Sequence, residues 1–432
     1  GGCSLELAEE VCREPRDPSV AAAIDSLVDA SLVHVQEMQG LDHRIGMLQT
    51  LREFAAEKLT EQGAEPATRR RHLAAMVRLS ELYDQGFRSP TPETWLSRLD
   101  TEYGNVTAAL EWSLDHEPVQ GLRLAGAIQS YWDTRALIRT GCQWLEILLD
   151  AEAAGRRQAG KDRDAERAAW RARGLMGAAA LGWLAGDVKS AERHGAEGYA
   201  LVRELGEPAD VARAANQIGI IAMIREQFDR ARDSFEEALS IHTAINDERG
   251  VFTVTNNLGV VAIGTGEFAR AAELLERSLT LSARYGDIRS RARAMTNLGF
   301  ALLNLGDIVR AKQLARESLV TRNDLGDPRG VCECLELLAG IAVAENDWPA
   351  ASRMLGASTK RREEHGVSFA TRQLEAFVTA TSEEARTRLG EEGYLAALSD
   401  GSTMAVSRLL GLVPEAAQVQ HEPSLTPAAA ST

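Results

Sequence analysis

At 432 residues the chain is too long for one compact core, and it suits two or three domains or a single array that grows by repetition. Ala, Leu, Arg and Glu are abundant while aromatics make up only 5%, so composition favours helix over strand. A net charge of −15, from 48 basic and 63 acidic side chains, repels phosphate backbones and anionic headgroups and argues against nucleic acid or a membrane surface as partner.

Five cysteines (Cys3, Cys12, Cys142, Cys332 and Cys334) form no CxxC pair. An odd count at irregular spacing points to reduced thiols and a cytoplasmic setting. Neither a run of about 18 apolar residues nor the basic and apolar regions of a secretion signal are visible. The chain opens Gly-Gly-Cys without Met and is expected to be a fragment of a longer protein.

Residues 1 to 62 read as a small winged-helix domain. Helices are expected over 4–11 and 19–30, followed by short strands over 32–36 and 43–48 around a turn at Gln39-Gly40. A further helix opens near Thr50. The stretch from Met47 to Ala55 resembles the segment that closes the nucleotide-binding module of STAND ATPases, which include plant resistance proteins, apoptosome scaffolds and bacterial LuxR-type regulators. In many eukaryotic members that segment begins Met-His-Asp, and its His reads the nucleotide; Leu48 and Gln49 stand at those positions here. A direct nucleotide contact is therefore not carried over. Winged helices often bind DNA, but residues 1–60 hold eleven Asp or Glu against five Lys or Arg, the wrong sign for a phosphate backbone. A hinge that transmits the state of an upstream ATPase core is the functional expectation, and a small packing domain the plainer one.

Residues 63–160 are helical without a regular register. The runs 95–106 and 108–112 resemble the segment joining winged helix to repeats in actinobacterial-type LuxR regulators, where degenerate helix pairs occur. Trp95, Trp112, Trp132 and Trp144 are expected to pack between such pairs. The charged, Gly-broken stretch 156–173 is expected to be a flexible joint.

From 165 to 366 three registers of forty residues run together. Small alanines fall at 191, 231, 271, 311 and 351. Twelve residues before each stands Ala179, Gly219, Gly259, Gly299 or Ala339. Gly206, Asn246, Gly286, Gly326 and Gly366 mark the breaks, where a left-handed residue can end a helix. Between them, Val251, Val254, Leu258 and Val261 share one helical face, and Phe268, Ala271, Leu275 and Leu279 share another. In Leu325-Gly326-Asp327-Pro328 the glycine suits a C′ position, the aspartate caps the next helix and the proline fits its first turn. Each unit is thus a helix hairpin whose second apolar face is buried only by its neighbour. Leu258, Gly259, Ala262, Ala271, Leu275 and Ser278, repeated as Ile218, Gly219, Ala222, Ala231, Phe235 and Ala238, resemble the tetratricopeptide repeat. The longer connection is similar to the form in kinesin light chains and bacterial signalling ATPases. The resemblance implies an all-α tetratricopeptide α-solenoid of about five repeats, and inert spacing is the bland alternative.

A helical cap is expected over 367–412, and a Pro-, Ala- and Ser-rich disordered tail over 413–432. The run 389–394 again resembles the end of LuxR-type regulators, in which a DNA-binding helix-turn-helix normally follows.

No GxxxxGK[ST], GxSxG or HExxH motif occurs, and the eight histidines form no i, i+4 pair. Neither catalytic nor metal-binding residues are therefore assigned, and Cys332 and Cys334 read as small buried hydrophobes. No cofactor is expected in this chain; the resemblance implies ATP or ADP in an upstream domain. One polar constellation remains. Gln217, Asn257 and Asn297 precede the Leu-Gly step of three successive repeats, at a position that lines the concave groove in the families resembled. Such amides can hold an extended peptide backbone, or can tie neighbouring repeats together. Arg213 and Arg293, four residues earlier, would favour an acidic partner. The expected role is the sensor arm of a signal-transduction ATPase regulator that binds a protein, peptide or small inducer. A stand-alone scaffold is the alternative, and an unrecognised hydrolase would need pocket chemistry that the motifs do not supply.

Overall fold

The computed structural model describes residues 2–13, 19–38, 41–87, 92–159, 165–369 and 371–412. The turn expected at Gln39-Gly40 and the tail expected over 413–432 lie outside them. Chain contacts divide the protein into two compact units, 1–221 and 222–432.

The first unit opens with β1 (Cys3–Ser4), α1 (Leu5–Cys12), α2 (Val20–Asp29), β2 (His34–Met38), β3 (Leu41–Gly46) and α3 (Gln49–Glu61). The strands form an antiparallel sheet in the order β1-β3-β2, with Val35 facing Ile45. After it come α4 (Glu65–Phe87), α5 (Pro92–His116), α6 (Pro118–Ala127), α7 (Gln129–Thr134), α8 (Ile138–Ala159), α9 (Ala165–Leu184), α10 (Val188–Leu205) and the start of α11 (Pro208–Ile224). Arg44 fastens the small sheet to α5. Its Nη1 donates to Glu102 Oε1 at 2.6 Å and its Nη2 to the Gly2 carbonyl at 2.6 Å, with both side chains buried. Trp132 is fully buried in the core of this unit, and Trp95, Trp112 and Trp144 pack against that core.

One expectation fails here. Residues 165–173 were expected within a flexible joint, yet they form the first turns of α9. The reason is electrostatic: Glu152, wholly buried, accepts from Arg167 Nε at 2.7 Å and from Arg171 Nη1 at 2.7 Å, and Arg171 also reaches Glu197. Removing one member of such a set strands a buried charge, so the pairing resists opening.

The second unit comprises α12 (Phe228–Ala244), α13 (Glu248–Gly264), α14 (Phe268–Tyr285), α15 (Ile288–Leu305), α16 (Ile308–Asp324), α17 (Pro328–Ala344), α18 (Trp348–His365), α19 (Arg372–Ser402) and α20 (Val406–Leu412). From α13 to α18 the helices pair as antiparallel hairpins. Ala271, Ala311 and Ala351 are each fully buried, as is Ala191 in the first unit. A Cβ at Gly259 would stand 2.6 Å from Leu275 Cγ, and one at Gly299 would stand 2.6 Å from Leu337 Cδ2, so these glycines set how closely the helices approach. Gly206, Asn246, Gly286, Gly326 and Gly366 all take positive φ, as the break register requires. Asp247, Asp287, Asp307, Asp327 and Asp347 each cap the following helix by accepting from a backbone N–H three residues on. The array is an all-α tetratricopeptide solenoid.

Buried polar groups tie the helices to one another, both at the joints between hairpins and within them. His242 Nδ1 lies 2.8 Å from Asp247 Oδ2, and Arg322 Nη1 lies 3.2 Å from Asp327 Oδ2, two periods later. The residue facing each basic side chain is glycine: a Cβ at Gly250 would overlap the His242 ring, and one at Gly330 would overlap the Arg322 guanidinium. In the repeat between them both positions are serine, Ser282 and Ser290. Deeper still, Glu336 accepts from Arg362 at 2.7 and 2.9 Å and from Ser358 Oγ at 2.6 Å. Cys332 and Cys334 are fully buried, and burial pushes the Cys332 thiol up to about 11.

The alanine register yields a direct test. Ala271→Arg forces a charge between packed helices and should destabilise the protein by about 3 kcal/mol, whereas Glu273→Arg on an exposed position should change little. Equal melting midpoints for the two variants would show that the register is misassigned.

Candidate functional site

In each unit the first helices of successive hairpins touch one another directly: α4, α6 and α9 in the first unit, α13, α15 and α17 in the second. They form an inner row, and the side chains left open along it are the candidate binding surface.

The expected ladder residues fall on this row but are already engaged. In the first unit Gln217 Nε2 donates to the Met176 carbonyl of the preceding repeat at 2.7 Å. In the second, Asn297 Nδ2 donates at 3.1 Å to Asn256 Oδ1, whose own Nδ2 lies 3.4 Å from Asn257 Oδ1. Asn257 is buried. Asn257 and Asn297 are thus brought together through Asn256, a residue that the spacing argument passed over, and the amides bridge repeats. Gln217 lies in the other unit. Arg213 is exposed and ion-paired to Asp210 on its own helix, and Arg293 is exposed.

The first unit's inner row carries a second set that sequence reasoning did not single out. Arg123 grips Glu81 with two hydrogen bonds, of 2.6 and 3.0 Å, and lies over the Trp170 ring at 4.6 Å. Arg173 pairs with Asp84 at 2.8 Å. Their only sequence signal is that Arg173, Arg213 and Arg293 share the forty-residue register.

In the second unit the inner row is apolar toward the ends of α15 and α17. Phe300 meets Phe377 of α19 edge to face, with centroids 5.3 Å apart. A Cβ at Gly340 would overlap the same Phe377 ring. Among the described residues no group of three or more His, Cys, Asp and Glu is placed to hold a metal ion, and no helix is long and apolar enough to cross a membrane.

Tetratricopeptide-repeat family models match residues 210–284 and 291–325. Relatives in Mycobacterium bovis and Mycobacterium tuberculosis, each bearing the name of an HTH-type transcriptional regulator, are 31% identical over 258 residues. That match covers 57% of this chain and 28% of the relatives, so the chain spans well under a third of their length. Similar solved structures include the two that follow. A STAND protein with a tetratricopeptide repeat sensor from Pyrococcus horikoshii aligns with TM-score 0.48 at 13% identity, over 96% of this chain and 62% of that one. BtubC from P. vanneervenii aligns with TM-score 0.42 at 21% identity, over 52% and 93% respectively.

If the amides serve as ties between repeats, Asn297→Ala and Gln217→Ala should each lower stability by about 1 kcal/mol, while Arg293→Ala leaves it unmoved. Denaturant midpoints compared at constant helical content check this.

Proposed function

We propose that this chain is the sensor arm of a nucleotide-controlled transcriptional regulator and that it reads a protein or peptide partner through its tetratricopeptide array. The observation that carries the reading is the array itself: a repeat family suited to protein interaction, in a chain related in sequence to proteins named as transcriptional regulators. Partner chemistry follows from what the inner row offers. Because the amides are spent between repeats, recognition falls to exposed arginines such as Arg293 and to the apolar seat at Phe300, on which Phe377 packs in this structure. An acidic segment with an aromatic or aliphatic anchor fits both. A small inducer remains the less favoured ligand.

The N-terminal module supports coupling to a neighbouring domain. Neither α2 nor α3 has a buried residue, and Leu27, Leu32, Val35, Leu48 and Phe54 are all exposed. An apolar surface of this kind on a small module suits docking to another domain. In our reading that domain is an upstream ATPase core which holds ATP or ADP, and partner binding to the array biases its two states through contacts that differ between them. The winged-helix assignment of residues 1–62 rests on its helix-helix-hairpin order, and its acidity suits a hinge better than a DNA reader. Cytoplasmic location and the absence of enzymatic activity belong to the same proposal. A stand-alone scaffold that joins two proteins without a switch is the second reading.

The sensor reading predicts that the chain by itself neither hydrolyses ATP nor shifts duplex DNA at about 0.15 M salt. In the gene product that contains any upstream ATPase segment, deleting residues 222–412 should change basal ATP turnover several-fold. Turnover indifferent to that deletion would favour the scaffold.

A further inference from the structure

α19 is broken at Gly390, whose φ of 72° and ψ of 162° separate a first segment, 372–389, from a second, 391–402. The second segment behaves as a cap. It meets α18 so closely that a Cβ at Gly356 or Gly401 would strike the opposing backbone. The break itself is braced: Ser382 Oγ and Tyr394 Oη lie 2.5 Å apart, and the Arg386 guanidinium sits over the Tyr394 ring at 4.9 Å.

The first segment does something else. It lies against α17, as the next inner helix would. Its side chains also reach beyond that neighbour. Gln373 Nε2 donates to Glu226 Oε1 at 3.3 Å, in the turn between α11 and α12. Phe377 packs on Phe300 of α15 and over Gly340 of α17. Arg388 lies 5.4 Å over the Trp348 ring at the start of α18. A helix that reaches these points crosses the inner row.

Two of the contacted positions are tuned to receive it. The register that holds Val260 and Phe300 has glycine at 340, where Phe377 needs the space. The inter-helix turns take positive φ at Gly186, Gly266, Gly306 and Asn346, residues that tolerate it, whereas at the equivalent position the residue is Glu226, at φ 59°. A residue with a Cβ is strained in that conformation. What the glutamate adds is a carboxylate that meets Gln373.

We propose that residues 372–389 are a built-in occupant of the second unit's inner face, seated through Phe377. A partner would be an amphipathic helix presenting an aromatic anchor, which competes with this segment for the seat formed by Phe300 and Gly340. Leu374, Phe377, Val378 and Thr381 lie at the spacing such a helix uses. Partner binding then displaces the segment, so the array has two states that differ in one crossing helix. This builds on the reading of the array as a binding surface, but its test needs no partner and can fail by itself.

The probe is a fluorescein-labelled synthetic peptide of residues 371–389, titrated with the whole chain and followed by fluorescence anisotropy. Phe377→Asp places a carboxylate in the apolar seat and should free it. The peptide should bind that variant about tenfold or more tighter than the unaltered chain, and a peptide with Phe377→Ala should lose the gain. Equal affinities, or no binding to a Phe377→Asp chain that keeps its helical content, would overturn the proposal. Should that variant lose its helical content, Glu226→Gly decides, since glycine relaxes the turn while removing the Gln373 contact. Its amides at 373–378 should then exchange several-fold faster with those of α17 unchanged, and unaltered exchange at 373–378 would refute the segment's role.

Discussion

The close approach of helices at small residues is the constraint on which the second unit is built. Ala271, Ala311 and Ala351 lose all exposure, and a Cβ at Gly259 or Gly299 would press into a leucine. With partners this near, each hairpin buries one face internally and exposes a second that only the next hairpin can cover. The forty-residue period is therefore a consequence of packing: a shift of one residue would turn the alanine away from the contact and bring a charged neighbour such as Arg270 toward it. Close packing also leaves the helix ends near one another, which is why each Asp cap and each left-handed break recurs at the same interval.

Polar groups inside this packing have been recruited as ties. Glu336, Ser358 and Arg362 satisfy one another in the interior, and Glu152 does the same for two arginines in the first unit. Such groups are harmful when half satisfied and rigidifying when complete. The inner-row amides follow that logic. An amide facing another repeat gains more from a fixed acceptor than from water, so the best candidates for peptide recognition by residue type are held by the scaffold itself.

This explains what could and could not be read from the sequence. The helix hairpins, their caps and the burial of Cys332 and Cys334 follow from local chemistry at fixed spacing, and all were legible. The continuity of α9 was not, because the charged stretch 156–173 looks solvated until Glu152 and Arg171 are seen to face each other across two helices. Asn256 was overlooked because its repeat equivalents, Thr296 and Glu336, differ in type. The path of residues 372–389 was least legible. Their contacts span up to 147 residues in sequence, and no periodicity encodes where a helix outside the repeat register will lie.

The pairing of His242 with Gly250 and of Arg322 with Gly330 gives the repeats individual identities. Because serines occupy both places in the repeat between, the nine residues from 242 to 250 and their counterparts behave as indivisible cassettes that span the joint between hairpins. Duplication or loss of a whole period is tolerated when its end points fall elsewhere. A crossover inside the cassette would set an arginine against a serine Cβ, or leave a void beside a glycine. An idealised array built by averaging the repeats would meet the same conflict at every joint.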